Sequence, residues 1–230
     1  MVRYFITRSL WEQVPRDHRE SEPALRRRQI VTVVVTLLGA GVLGVLLRLE
    51  EGSATFVLVS LGLALLWTVG AFASGPLHLG RIEVRQVLER PVLQPFLLGA
   101  GLAAVFVVGA LIVREIEPLA EQVRGVLGYA DQGSLPVLVV ITAVNGIAEE
   151  LFFRGAAYAA ITRHPVVWTT VAYTVATAAT GNIMLSFAAV LLGVLVGLQR
   201  RASGGILAPI ITHITWSLTM LFALPAIFGV

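Results

Sequence analysis

The sequence predicts an all-α fold: a polytopic bundle of about seven transmembrane helices with its N-terminus in the cytoplasm. Three observations lead there. Of 230 residues, 57% are hydrophobic and only 13% charged, about half the charged share of a soluble domain. Several continuously apolar runs approach 20 residues, about the helical length that crosses a ~30 Å hydrocarbon core. The runs do not alternate, which argues against a closed barrel, the other structure that can span a bilayer.

The elements follow in order. Residues 1–29 form a basic segment carrying Arg3, Arg8, Arg16, Arg19, Arg26, Arg27 and Arg28. Its start, MVRYFITRSLWEQVPR, suits either an interfacial helix with aromatics at headgroup depth or a disordered basic tail. It is too polar and too long for the basic region of a secretory signal. The run IVTVVVTLLGAGVLGVLL shows no small-x-small cleavage site before the next loop, so it reads as a retained span. The expected spans are Ile30–Leu47, Ala54–Ala73 and Leu93–Val113, then Pro136–Ile161, Pro165–Thr180, Ile183–Leu198 and Ile206–Leu224. Residues 30–113 thus hold three N-terminal spans, 114–134 an extracytoplasmic loop, and 135–230 a four-span core.

Loop charge sets the orientation. Arg81, Arg85 and Arg90 fall in the second loop, Arg163 in the fourth, and Arg200 and Arg201 in the sixth. The loops between them are acidic or neutral. Arginine-rich loops face the cytoplasm, which puts the N-terminus inside and the C-terminus outside. The pI near 9.9 follows from these helix-end arginines and does not indicate nucleic acid. Every basic residue is arginine, as in a high-G+C bacterial genome, and the expected location is a bacterial inner membrane. The absence of cysteine excludes disulfides, thiolate metal sites and cysteine nucleophiles. Gly193 and Gly197 form a GxxxG pair in the sixth span, expected to serve internal helix packing rather than dimerisation.

Four ionisable residues fall inside the apolar runs: Glu149, Glu150, Arg154 and His213. A charge at mid-membrane costs about 2.5–3.5 kcal/mol even on the lenient insertion scale, so such residues face a bundle interior or a wet cavity and default to a functional reading. Glu150 and Arg154 stand four apart with the acid first, the favourable order for a helical ion pair. Glu149 is rotated by ~100° and lacks a local partner. At 1.5 Å per residue, Arg154, Glu149 and His213 lie ~13, ~20 and ~12 Å from the cytoplasmic boundary, so all four can share one cavity. A buried ion pair plus a hydrogen-bonded histidine, serving packing alone, would account for one acid and not two. A desolvated carboxylate suits a general base. His18, His78 and His164 fall in loops or at an interface.

EELFFR resembles the EExxxR motif of the CAAX-protease and bacteriocin-processing (CPBP) family of intramembrane endopeptidases, and GILAPIITHITWSL resembles that family's final HxxxN motif. The resemblance covers about Leu135 to Leu224. It departs at the middle FxxxH motif, where Tyr173 stands for phenylalanine and Thr177 for histidine, and at Ser217, which stands for asparagine. It implies an endopeptidase that cleaves membrane-associated peptides by glutamate-activated water. Glu149 would be the base, Glu150 and Arg154 would orient it or contact substrate, and His213 would polarise the scissile carbonyl or ligate a metal. Zinc held by Glu149, Glu150 and His213 is one option, since three protein ligands and a water suffice. Two alternatives stay open: a catalytically silent relative that binds or scaffolds a membrane-protein partner, and a proton- or ion-coupled carrier.

Overall fold

The computed structural model describes residues 2–18, 20–84, 86–131 and 134–229. Arg19 and Arg85 of the loop-charge argument lie outside the described residues. Six described helices are long and apolar enough to cross a membrane: α2 (Glu22–Leu46), α3 (Ala54–Ser74), α4 (Leu93–Val113), the composite span Leu135–Ala160, α9 (Ile183–Ser203) and α10 (Leu207–Phe228). The expected fifth span is shorter than the others. It forms α8 (Pro165–Ala178), 14 residues long, or about 21 Å at 1.5 Å per residue. The seven expected spans are therefore six of spanning length and one short helix. Pro165 and the turn at Gly181 (φ 77°) bound α8. Ala54, Pro165 and Ile183 start helices where expected because Ser53, Pro165 and Asn182 suit those positions. Ser53 Oγ accepts from Phe56 N at 3.1 Å and Asn182 Oδ1 from Leu185 N at 3.0 Å, each satisfying one orphan donor of the first turn.

Three further elements lie in the polar segments. The N-terminal segment opens as α1 (Val2–Ile6) and continues as a π-helical turn over Thr7–Trp11, so the first part of this stretch is helical. Strands β1 (Ile82–Val84) and β2 (Val87–Glu89) pair antiparallel, Ile82 opposite Glu89, in a stretch expected to be loop. The acidic segment 114–134, also expected to be loop, contains α5 (Glu117–Asp131). Its inward face shows helical spacing, with Ala120 and Leu127 buried beside Ala110 and Phe228.

Small residues let the helices approach closely. In α2, a Cβ on Gly39 would sit 2.0 Å from the Trp67 ring, and one on Gly70 of α3 would sit 2.6 Å from Val35. Gly193 and Gly197 of α9 meet Thr170 and Val166 of α8, so this GxxxG pair serves internal packing, as expected. The buried core joins all these elements: Val35, Leu63, Trp67, Phe152, Phe153, Tyr173 and Ala189 form one cluster. Apolar side chains such as Leu37, Leu58, Leu65, Val105 and Val175 face outward, as lipid-facing positions should.

The loops gather at two ends. At one, Val14 N donates to Ala202 O, Arg81 N to Ser203 O and Ile206 N to His78 O. At the other, Asn182 Nδ2 and Ile183 N both donate to Gln122 of α5, which ties α5 over the α8–α9 turn.

Candidate active site

The stretch EELFFRG is only partly α-helical. α6 (Leu135–Glu149) ends at the first glutamate, and the chain widens into a π-helix over Glu150–Ala157 before α7 (Tyr158–Ala160) closes the span. Such π segments, bonded i→i+5, concentrate at functional sites. Neighbours hold this one in place. Phe152 and Phe153 pack on Trp67, with ring centroids 4.7 and 5.1 Å away. On the opposite side Arg200 Nε donates to the Arg154 carbonyl at 2.7 Å, and its guanidinium lies 4.8 Å over the Tyr158 ring.

The wide turn presents Glu150 and Arg154 inward. Both are 0% exposed, and Arg154 Nη1 donates to Glu150 Oε1 at 3.0 Å. The expected pair is present. Arg154 also lies over the Tyr173 ring at 4.7 Å, a cation–π contact whose value rises with desolvation. α10 supplies His213, 5% exposed, with Nδ1 2.8 Å from Glu150 Oε1. One oxygen of Glu150 thus serves both Arg154 and His213.

Glu149 is placed differently. It was expected to lack a local partner along its own helix, and its partner comes from α8: Tyr173 OH donates to Glu149 Oε2 at 2.8 Å. His213 Nε2 stands 4.0 Å from the same oxygen, and 17% of the Glu149 side chain is accessible against 0% for Glu150. With Nδ1 bonded to Glu150, the imidazole turns its other nitrogen, Nε2, toward Glu149. Among the described residues Glu150 Oε2 and Arg154 Nε and Nη2 have no hydrogen-bond partner. A buried polar atom in that state calls for water or a ligand group.

The structure brings together Glu149, Glu150, Arg154 and His213, and adds Tyr173. Neither degenerate motif position hydrogen-bonds to the side chains of this cluster. Thr177 lies one turn beyond Tyr173 and spends its hydroxyl on the Tyr173 carbonyl at 2.9 Å. Ser217 lines an apolar cavity of about 440 Å³ with Phe106, Trp216 and Met220. Zinc would need three ligands and an open position, and among the described residues no three of His, Asp and Glu converge on a cation position. Glu150 Oε1 is occupied by Arg154 and His213 and Glu149 Oε2 by Tyr173, and the unpaired Glu150 Oε2 does not join Glu149 and His213 around one point, so the trio Glu149, Glu150 and His213 does not fit a metal in this arrangement. Sequence reasoning gave Tyr173 a motif position and no contact, and counted Arg200 only as a helix-end charge. A hydroxyl where the motif has phenylalanine was the signal available for the first.

A protein-family model now meets this geometry. Residues 131–219 match Type II CAAX prenyl endopeptidase Rce1-like. The match takes in Glu149, Glu150, Arg154, Tyr173 and His213 together. Comparison with curated proteins and with solved structures returned no match. The Rce1-like region runs from the end of α5 through most of α10 and therefore holds the whole polar cluster. The chain is an integral membrane protein whose Rce1-like region is consistent with the CPBP family of intramembrane proteases.

Proposed function

We propose that the chain is an intramembrane endopeptidase that cleaves membrane-associated peptides with water activated by Glu149. The observation that carries this is the unequal treatment of the two acids: Glu150 is sealed and doubly paired, whereas Glu149 keeps accessible surface and faces His213 Nε2. Glu149 would take a proton from water as the hydroxide adds to the scissile carbonyl, and would then pass it to the departing amine. Tyr173 fixes the orientation of that carboxylate. A protonated His213 would donate Nε2–H to the developing oxyanion, the kind of contact that often supplies the largest catalytic term. Glu150 and Arg154 hold His213 from behind. No step requires a metal.

The buried charges support this assignment. Glu150 and Arg154 cancel. A charged Glu149 and a protonated His213 would also cancel, and as Glu149 gained the proton of water the negative charge would pass to the oxyanion facing His213, so the net charge of the cluster and substrate would not change. In low dielectric that is the inexpensive kind of proton transfer. The arginine-rich end of the bundle would face the cytoplasm of a bacterium.

A second reading has its own observation. Neither Thr177 nor Ser217 presents a donor to the cluster, which suits a catalytically silent relative that binds a membrane partner. The test is cleavage of a library of membrane-anchored peptides by the purified chain in liposomes. Wild type should cleave, Glu149→Gln should not, and Tyr173→Phe should cut kcat with little change in KM. Equal cleavage by wild type and Glu149→Gln, or none by either, would remove the peptidase reading and leave the silent one.

A further inference from the structure

At the arginine-rich end, three chain segments line a pocket of about 460 Å³. Its wall holds Arg16, His18, His78, Arg81 and Arg90, with Asp17 beside them. The frame is closely built. A Cβ on Gly205 would stand 2.0 Å from Gly80 N, so the α3–α4 and α9–α10 loops cross at a contact only glycine permits. Arg81 N bonds Ser203 O at 2.8 Å and Leu207 N bonds Leu79 O at 3.0 Å, which locks the crossing. The N-terminal segment is laid over it: Val14 N donates to Ala202 O at 3.1 Å and Arg16 Nη1 to Arg201 O at 2.7 Å.

The charges in this frame do not balance. Arg8, Arg28, Arg114, Arg124 and Arg154 each pair with a glutamate. Among the described residues no carboxylate forms an ion pair with Arg16, Arg81 or Arg90. Arg16 bonds the Arg201 carbonyl and Gln13, and Arg90 bonds the Gly80 carbonyl, neutral partners that leave a guanidinium its full charge. The two imidazoles stack face to face, centroids 3.7 Å apart and 5° from parallel. His18 is pushed down to about 4 by burial first, then by the positive fields of His78, Arg200 and Arg16, with Asp17 opposing. His78 is lowered by burial, Arg200 and Arg28, against Glu20. The pocket is a fixed positive concavity beside the ends of two spans.

We propose that this pocket binds a terminal phosphate group, a monoester carried by a lipid headgroup or inorganic phosphate free in solution, rather than the phosphodiester of ordinary headgroups. Guanidinium forks match the oxygens of phosphate in paired hydrogen bonds, and Arg16 approaches from the N-terminal segment while Arg81 and Arg90 approach from the α3–α4 loop. The site goes beyond the proposed peptidase chemistry and shares no carboxylate or hydroxyl with it, so either can fail alone.

The experiment uses the full chain in nanodiscs of phosphatidylcholine alone or with phosphatidic acid or phosphatidylglycerol added. Thermal unfolding is followed in each, and inorganic phosphate is titrated into the phosphatidylcholine sample. Phosphatidic acid should raise the unfolding temperature, because a ligand bound to the folded state stabilises it. Arg81→Ala with Arg90→Ala, both exposed positions, should weaken the effect by at least about tenfold in apparent affinity, the loss expected when charge-assisted hydrogen bonds are removed. Stabilisation by inorganic phosphate as well would identify a free-phosphate site, and by phosphatidic acid alone a headgroup site. Should the double variant not fold, native mass spectrometry of wild type decides, with retention of phosphatidic acid over phosphatidylglycerol expected. No stabilisation by either phosphate source, an equal effect of phosphatidylglycerol, or an unchanged effect in the double variant would overturn the proposal.

Discussion

Removing the guanidinium of Arg154 tests the architecture of the cluster. Arg154→Ala deletes the 3.0 Å bond to Glu150 and the 4.7 Å contact with the Tyr173 ring. It leaves a carboxylate of 0% exposure bonded to His213 alone among the described residues. Breaking a buried pair from one side costs about 3–5 kcal/mol, and the emptied space adds a cavity term. Against a native stability of about 5–15 kcal/mol this is a large share. For a chain of this size it corresponds to about 6–20 °C in Tm at 2–4 °C per kcal/mol. Glu149→Gln keeps the shape and an acceptor for Tyr173 OH, so it should cost about 1 kcal/mol. The assay is membrane abundance of a tagged protein together with thermal unfolding in detergent. Arg154→Ala should lose most of its abundance and Glu149→Gln little. Adding Glu150→Gln to Arg154→Ala should restore part of the loss, because the unpaired charge is then gone. Equal losses for the two single variants, or no recovery in the double one, would refute the assignment of Glu150 as the structural acid.

Reporter fusions at the N-terminus and after Phe228 should give opposite signals, cytoplasmic and external; matching signals would mean that the short α8 does not carry the chain across. Folded His18, held near 4 against an ordinary 6.5, binds fewer protons than the unfolded chain between those values. Its contribution is therefore intact above about pH 6.5 and is lost as pH falls toward 4. Protease sensitivity of residues 7–18 should rise through that window. A flat profile would show that His18 is not docked against His78. Thr177→His places an imidazole one turn from Tyr173, where Glu149 and His213 Nε2 offer two donors, and should create divalent-metal binding measurable by calorimetry that the wild type lacks. Equal heats for both would mean that position 177 does not face the site.

The spans were legible because hydropathy sums a transfer free energy over about 20 residues, and no single contact decides it. The Glu150–Arg154 pair was legible because four residues bring side chains to one face in an α-helix and, as it turns out, in the π-helix too. The π-helix itself left no such signal. It depends on Trp67 behind Phe152 and Phe153 and on Arg200 at the Arg154 carbonyl, contacts that spacing along one segment cannot reveal. The length of α8 was overestimated because Ala179 and Thr180 are apolar enough to extend a run while the turn before Asn182 ends it. α5 was missed for the opposite reason: its glutamates and arginines mask a 120-123-127 apolar face.

The same distinction explains why two adjacent acids are buried in this apolar stretch. One segment could show only that Glu149 lacked a partner on its own helix. Assembly supplies two groups, Tyr173 from α8 and His213 from α10, and His213 bonds the acid already paired with Arg154. The paired acid therefore orients the imidazole, and the imidazole turns its other nitrogen to the unpaired one. Were packing the sole requirement, Glu150 and Arg154 would suffice and position 149 could be apolar. An accessible carboxylate that Tyr173 holds 4.0 Å from that nitrogen adds nothing to the pair. On the proposed function it adds a proton acceptor beside an imidazole, the pairing that water activation in low dielectric would require.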